Sequence, residues 1–130
     1  MIIFQAEGIT ERDNSVEVAL NKQIKESDWQ SLTPAERILA DSDGEAFVYL
    51  LENDEGFHHV RITSEHWYTL NDSLDSEKKV YLAVEGETAG KLELTHFWEE
   101  IKLLLENIKG NNNYGKEFVN KVEQTFDLKN

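Results

Sequence analysis

The chain carries 26 acidic and 13 basic side chains among 130 residues, a formal charge of −13, with 39% hydrophobic residues and no cysteine. One core of ordinary size fits that length and composition, so residues 1–130 are expected to form a single domain. The charge repels nucleic-acid phosphates and anionic lipid surfaces, and the lack of thiols excludes disulfides, cysteine nucleophiles, zinc fingers and iron–sulfur clusters.

Ile2, Phe4 and Ala6 alternate with Ile3, Gln5 and Glu7, and Val16, Val18 and Leu20 alternate with Glu17, Ala19 and Asn21, the two-residue period of half-buried strands. Two strands joined around Gly8 to Ser15 are expected. Lys22 to Arg37 is polar, holds the only proline, Pro34, and shows neither period, so residues 22–37 read as a long connection. One helical turn after Thr33 and Pro34 fits within it, because proline suits the first helical position. Ala46 to Leu51 is apolar on both alternations, as in a strand covered on both faces or placed in the middle of the sheet. Asn53 to Gly56 is a turn, and Phe57 to Ile62 is the return strand of a hairpin. Thr63 or Ser64 suits the N-cap of a helix with Trp67, Leu70 and Leu74 on one face, ending before Glu77.

Val80, Leu82 and Val84 form the next strand, and Gly86 to Gly90 turns the chain into a short Leu92/Leu94 strand. Thr95 suits the N-cap of a helix whose Phe97, Trp98, Ile101, Leu104, Leu105 and Ile108 cover about 120° of its circumference, with Leu103 on the opposite side. Lys109 and Gly110 end that helix, the glycine being able to take the left-handed C′ conformation. Asn111 to Asn113 restart a helix with Tyr114, Phe118, Val119, Val122 and Phe126 on one face. The pattern predicts an α+β fold: an antiparallel sheet built from hairpins, packed by helices on one side and ending in a C-terminal αα-hairpin.

Residues that carry chemistry are sparse. His58 and His59 are adjacent in a strand and face opposite ways, so they cannot share a metal without a bulge. His59 and His66 with Asp43 lack any metal-ligand spacing, and no metal is expected. Asp41-Ser42-Asp43-Gly44 resembles the start of a calcium loop, with Glu45 and Glu52 at positions the frame requires. Phe47 stands where that loop needs glycine, however, and the strand pattern has already begun at Ala46. Hydrogen bonds from Asp41, Ser42 or Asp43 to backbone N–H groups at the strand entry are the expected role. Glu99 and Glu100 lie on a polar helix side, no nucleophile elbow surrounds a serine, and neither phosphate-binding glycine motif occurs. No enzyme activity and no cofactor are therefore expected.

Asp41-Ser42-Asp43, the aromatic-rich strand and turn after it, Trp67, and the stretch Glu106 to Val119 with Val122, Glu123 and Phe126 resemble the YjbL-like family of small acidic proteins from Bacillus- and Staphylococcus-type bacteria. The resemblance spans roughly residues 38–128. It implies a cytoplasmic protein of Gram-positive bacteria and supplies no activity or catalytic residue.

No apolar run approaches the roughly 18 residues that cross a bilayer, and Met1 to Glu7 lacks a basic segment ahead of a long apolar one, so a cytoplasmic location without membrane binding is expected. Between Glu36 and Glu55 seven acids (Glu36, Asp41, Asp43, Glu45, Glu52, Asp54, Glu55) face the single base Arg37. The first functional reading is a non-enzymatic protein-interaction module. It would dock a basic partner through Asp41, Asp43, Glu45, Asp54, Glu55 and the exposed Leu103, with a homodimer through apolar residues as a further form. The second is a small-ligand or anion binder at the Gly110 to Lys116 turn, using Asn112, Asn113, Tyr114, Gly115 and Lys116. The third is nucleic-acid mimicry by a line of carboxylates, with no nucleic acid bound by the chain itself.

Overall fold

The strands expected from sequence pair into three hairpins in the computed structural model, which describes residues 1–20, 24–84 and 90–126. Strand β1 (Ile3–Glu11) pairs antiparallel with β2 (Ser15–Leu20). The first strand is longer than its alternation suggests, because a bulge between Ala6 and Gly8 reverses which residues face inward. Phe4 and Ala6 point into the core before it, whereas Ile9 opposes the core residue Val18 after it.

The stretch read as a connection holds two elements. Helix α1 (Glu26–Ser31) has no buried residue of its own and lies between the buried Ile24 and Leu32. Trp29 of α1 sits over Gly90, where an added Cβ would lie 2.9 Å from the indole nitrogen. From Thr33 the chain is already extended as β3 (Thr33–Asp41), so no helical turn follows Pro34. Proline is tolerated there because β3 is an edge strand, and a register shift between Pro34 and Ile38 erases the two-residue period.

Strands β4 (Ala46–Asn53) and β5 (Gly56–Thr63) form the second hairpin, with Gly56 at φ 117°. The third joins β6 (Lys79–Val84) to β7 (Gly90–Glu93). The turn expected over Gly86 to Gly90 lies, apart from Gly90, outside the described residues. Together with β3, which pairs antiparallel with β4, they make a seven-stranded mixed sheet, mostly antiparallel, in the order β3-β4-β5-β1-β2-β6-β7. Within hairpins all pairing is antiparallel, and two seams between hairpins, β1 with β5 and β2 with β6, are parallel. β1, not β4, takes the middle place.

The helices cover one face. A 3₁₀ turn over Ser64–His66 leads into α2 (Trp67–Ser73), whose Trp67 stacks on Phe47 of β4 with centroids 4.5 Å apart. Helix α3 (Phe97–Ile108) places Phe97 against Tyr49 at 6.0 Å. Its N-cap is His96 at φ 59°, not Thr95, whose carbonyl instead accepts the Tyr49 hydroxyl at 2.7 Å. After α3, Gly110 takes the left-handed conformation (φ 68°) expected of it. Asn112–Tyr114 forms only a 3₁₀ turn, and α4 (Lys116–Thr125) begins after Gly115 rather than at the asparagines. Phe118 and Phe126 of this C-terminal helix pair and its end close over Trp67 and Phe47.

Candidate functional site

Two sequence-selected segments meet in space. The β3–β4 turn is shaped by Asp41, whose Oδ1 accepts the Gly44 N–H at 3.0 Å while Oδ2 accepts from the Arg61 guanidinium at 2.8 Å. Those two donors, the Gly44 N–H first, hold its carboxyl below the usual aspartate value. This is the strand-entry role expected for Asp41. Glu45, at φ 45°, reaches Lys121 of α4 at 3.3 Å, which ties the turn to the last helix. Between them lies an open cleft of about 440 Å³ lined by Asp43, Glu45, Tyr114, Gly115, Lys116 and Glu117, among others.

Within that cleft the α4 N-terminus starts at Gly115 (φ 93°) with no side-chain cap. Asn112 and Asn113 build the adjoining turn: Asn111 Oδ1 accepts the Asn113 N–H at 3.1 Å, and the Asn112 carbonyl accepts the Gly115 N–H at 3.0 Å. The helix dipole and Lys116 favour an anion, whereas Asp43, Glu45 and Glu117 oppose one.

The other acids selected from sequence lie elsewhere. Asp54 and Glu55 occupy the β4–β5 turn, at the far end of β4 from Asp43 and Glu45. Over the eight residues of β4 the two turns stand ~25 Å apart at ~3.4 Å per residue. Leu103 is 61% exposed on α3, which packs on the opposite face of the sheet. The six residues therefore occupy three separate places.

What joins the two acidic turns is the sheet face that no helix covers. Outward residues along β4 are Ala46, Val48 and Leu50, only 0, 5 and 5% exposed. The register sets Val48 between Leu39 and Arg61, and Leu50 beside His59, which pairs in turn with Ile3. Around this floor stand Ile3, Leu39 and Phe57, 46, 43 and 50% exposed. Sequence reading missed these three, although the doubly apolar alternation of Ala46 to Leu51 was a signal that both faces of β4 are apolar. On the remaining half of the outer face, where Ala19, Tyr81 and Ala83 also lie, Glu17 is paired with two bases. Glu17 of β2 accepts from Lys91 of β7 at 2.7 Å and lies 3.7 Å from Arg12, and these partners, the Lys91 hydrogen bond foremost, lower its pKa.

A cluster of titratable groups also surrounds the start of α3. His96 Nε2 lies 2.9 Å from Glu36 of the β3 bulge, and Nδ1 contacts Glu99. Glu36 (φ 61°) and His96 (φ 59°) are both left-handed, and Glu100 accepts the Ile38 N–H at 3.3 Å. The carboxylates take opposite nitrogens of one ring, so they cannot converge on a metal with it. Nearby Tyr49 is pushed up to about 12 by burial, which keeps its hydroxyl protonated and bonded to Thr95. His58 and His59 face opposite sides as expected, the first 1% exposed in the core. His66 bonds the Ala6 carbonyl at 3.2 Å. Among the described residues no group of three histidines or carboxylates is placed to hold a metal, and no helix is long and apolar enough to cross a membrane.

Comparison with known proteins finds relatives of the chain in sequence. A UPF0738 protein of Halalkalibacterium halodurans is 35% identical over 87% of this chain and 88% of its own length. One from Lysinibacillus sphaericus is 42% identical over 73% and 72%, and one from Staphylococcus epidermidis 39% identical over 81% and 84%. These relatives match the kinship with Bacillus- and Staphylococcus-type bacteria expected from sequence. No solved structure matches the chain. The family described as UPF0738, a family of unknown function, matches residues 4–126, which includes the α1 and β3 region that the sequence resemblance did not cover. The chain belongs to the UPF0738 family.

Proposed function

We propose that this chain is a non-enzymatic protein-interaction module of the cytoplasm that contacts a basic protein without covalent chemistry. The observation that supports this reading is the set of exposed carboxylates of Asp43, Asp54 and Glu55, which have no ion-pair partner among the described residues. In a chain of charge −13 these groups repel one another, and a basic surface relieves that repulsion while speeding encounter. The narrower YjbL-like kinship belongs to this proposal and adds no activity to it.

Affinity capture of the tagged protein from lysate of a related Gram-positive bacterium, at low and high salt, tests the reading. A stoichiometric partner released at high salt is the expected result. Asp54→Lys with Glu55→Lys should weaken that binding about 3- to 10-fold at low salt. Binding that ignores salt counts against the acidic contact.

A second reading, ligand binding in the cleft beside α4, is favoured by Lys116, Tyr114 and the uncapped start of α4, against the opposing charge of Asp43, Glu45 and Glu117. A thermal shift with a phosphate-bearing metabolite, abolished by Lys116→Ala, would support it. Nucleic-acid mimicry has less to stand on, since apolar side chains separate the two acidic ends of β4 instead of a continued line of charge.

A further inference from the structure

The hydrophobic effect places α2, α3 and α4 over the inward face of the sheet, where Phe47, Tyr49 and Leu51 of β4 are buried. The outward face has no such cover, yet β3, β4, β5 and β1 set Leu39, Phe57 and Ile3 around a floor of Val48 and Leu50. Four strands ~4.8 Å apart and the run from Ala46 to Glu52 span ~300 Å² of sheet, on which Leu39, Phe57 and Ile3 carry the exposed apolar surface while His59 and Arg61 stand among them.

Charge decides what such a patch would meet. Asp43 borders it at one end, and Glu52, Asp54 and Glu55 border it at the other. Its one base on these strands that faces outward opposite β4, Arg61, is neutralised by Asp41 at 2.8 Å. An apolar centre with a charged rim is the usual anatomy of a protein interface. Two copies of this chain would bring acid against acid at −13 each, so the rim disfavours self-association.

We infer that the outward face of β3, β4, β5 and β1 is a docking surface whose occupant is a different protein presenting an apolar side chain ringed by lysine and arginine. The inference rests on the interaction reading above and gives it a location. Leu39 and Phe57 are the contacts expected to carry most of the affinity, with Val48 and Leu50 as the floor beneath them.

Photo-crosslinking in cells of the native host tests this on the full chain. p-Benzoylphenylalanine is placed at Leu39 or Phe57, and at Tyr68 or Leu103, which are 66 and 61% exposed on α2 and α3, as controls. All four positions lie on the surface, and a thermal unfolding midpoint equal to that of the unsubstituted protein certifies each variant as folded. The expected result is one heterologous adduct from positions 39 and 57, absent from 68 and 103, with the crosslinked segment rich in Lys or Arg. Leu39→Arg should then weaken the purified complex about 30-fold, the size of a hot-spot loss. Adducts from Tyr68 or Leu103 alone overturn the location while leaving the interaction reading in place. An adduct to a second copy of this chain, or to a neutral or acidic segment, overturns the occupant. No adduct from any position overturns the docking surface, and the interaction reading falls with it if the low-salt capture is empty as well.

Discussion

His58 shows how one side chain can pin three parts of a fold. Its Nδ1 accepts the Ile2 N–H at 2.9 Å, which leaves Nε2 to donate to Asn53 Oδ1 at 2.8 Å and so sets the tautomer. Asn53 in turn accepts the Glu55 N–H at 2.9 Å and donates to Ser31 at 3.1 Å. The start of β1, the β4–β5 turn and the end of α1 thus share one network anchored on the buried His58. His58→Ala removes core volume and strands the Ile2 N–H, so it should cost about 2–4 kcal/mol in equilibrium urea unfolding. His58→Leu restores the packing alone and should recover only part of that loss. His96 makes a different kind of contribution. The Glu99 hydrogen bond, followed by the charge of Glu36, raises its pKa above the ordinary 6.5. A raised folded-state pKa gives stability that is fully present below pH 6.5 and is lost as pH rises through the folded value. Thermal scans from pH 6 to 9 should therefore show the wild type losing its advantage over His96→Asn, a residue that also accepts the left-handed conformation. A constant difference across that range would mean that the contact is not ionic.

At the scale of elements, both edges of the sheet carry features that discourage pairing with a further strand. β7 has only four residues. β3 carries Pro34, which has no N–H to offer, a register shift, and an Ile38 N–H already taken by Glu100 of α3. The register shift that protects the edge is also the reason the strand is illegible, since Thr33 to Arg37 has no apolar run and the shift breaks the alternation that would otherwise mark it. The bulge in β1 acts likewise. It turns Glu11 toward the side where Ser73 donates to it at 2.7 Å, a contact that the early alternation gives no hint of. α4 depends on Gly115 at φ 93°, ψ 134°, a conformation that L side chains rarely adopt even though nothing lies within 4 Å of an added Cβ. Gly115→Ala should therefore destabilise the protein by about 1–3 kcal/mol through backbone strain alone, measured by chemical denaturation. An unchanged midpoint would show that the link before α4 can adjust.

For the whole molecule the dominant long-range force is self-repulsion. A charge of −13 favours expanded over compact states, and salt screens it within about 10 Å at 0.1 M. The melting temperature should rise as sodium chloride is increased from 10 to 500 mM at pH 7.5, and a fall would mean that pairs such as Glu17–Lys91 and Asp41–Arg61 outweigh the net repulsion. How much of this architecture is legible in the chain depends on the range of the interaction responsible. Alternation and turn residues located three hairpins, the 3.6-residue stripe of Phe97 to Ile108 located α3, and Gly110 marked its end, because each of these is decided by neighbours a few residues away. Asp41 as the residue shaping the β3–β4 turn was legible for the same reason. The parallel seams of β1 with β5 and β2 with β6, the middle place of β1, and the meeting of the β3–β4 turn with Lys116 were not. They depend on which faces can be buried together once all hairpins exist, and sequence distance carries no trace of that choice. The amino-acid sequence by itself thus determined the local elements, the acidity and the absence of thiol chemistry. Tertiary structure alone decided that Leu39, Phe57 and Ile3 share an uncovered face, because helices packing on one side of the open sheet leave the other side bare.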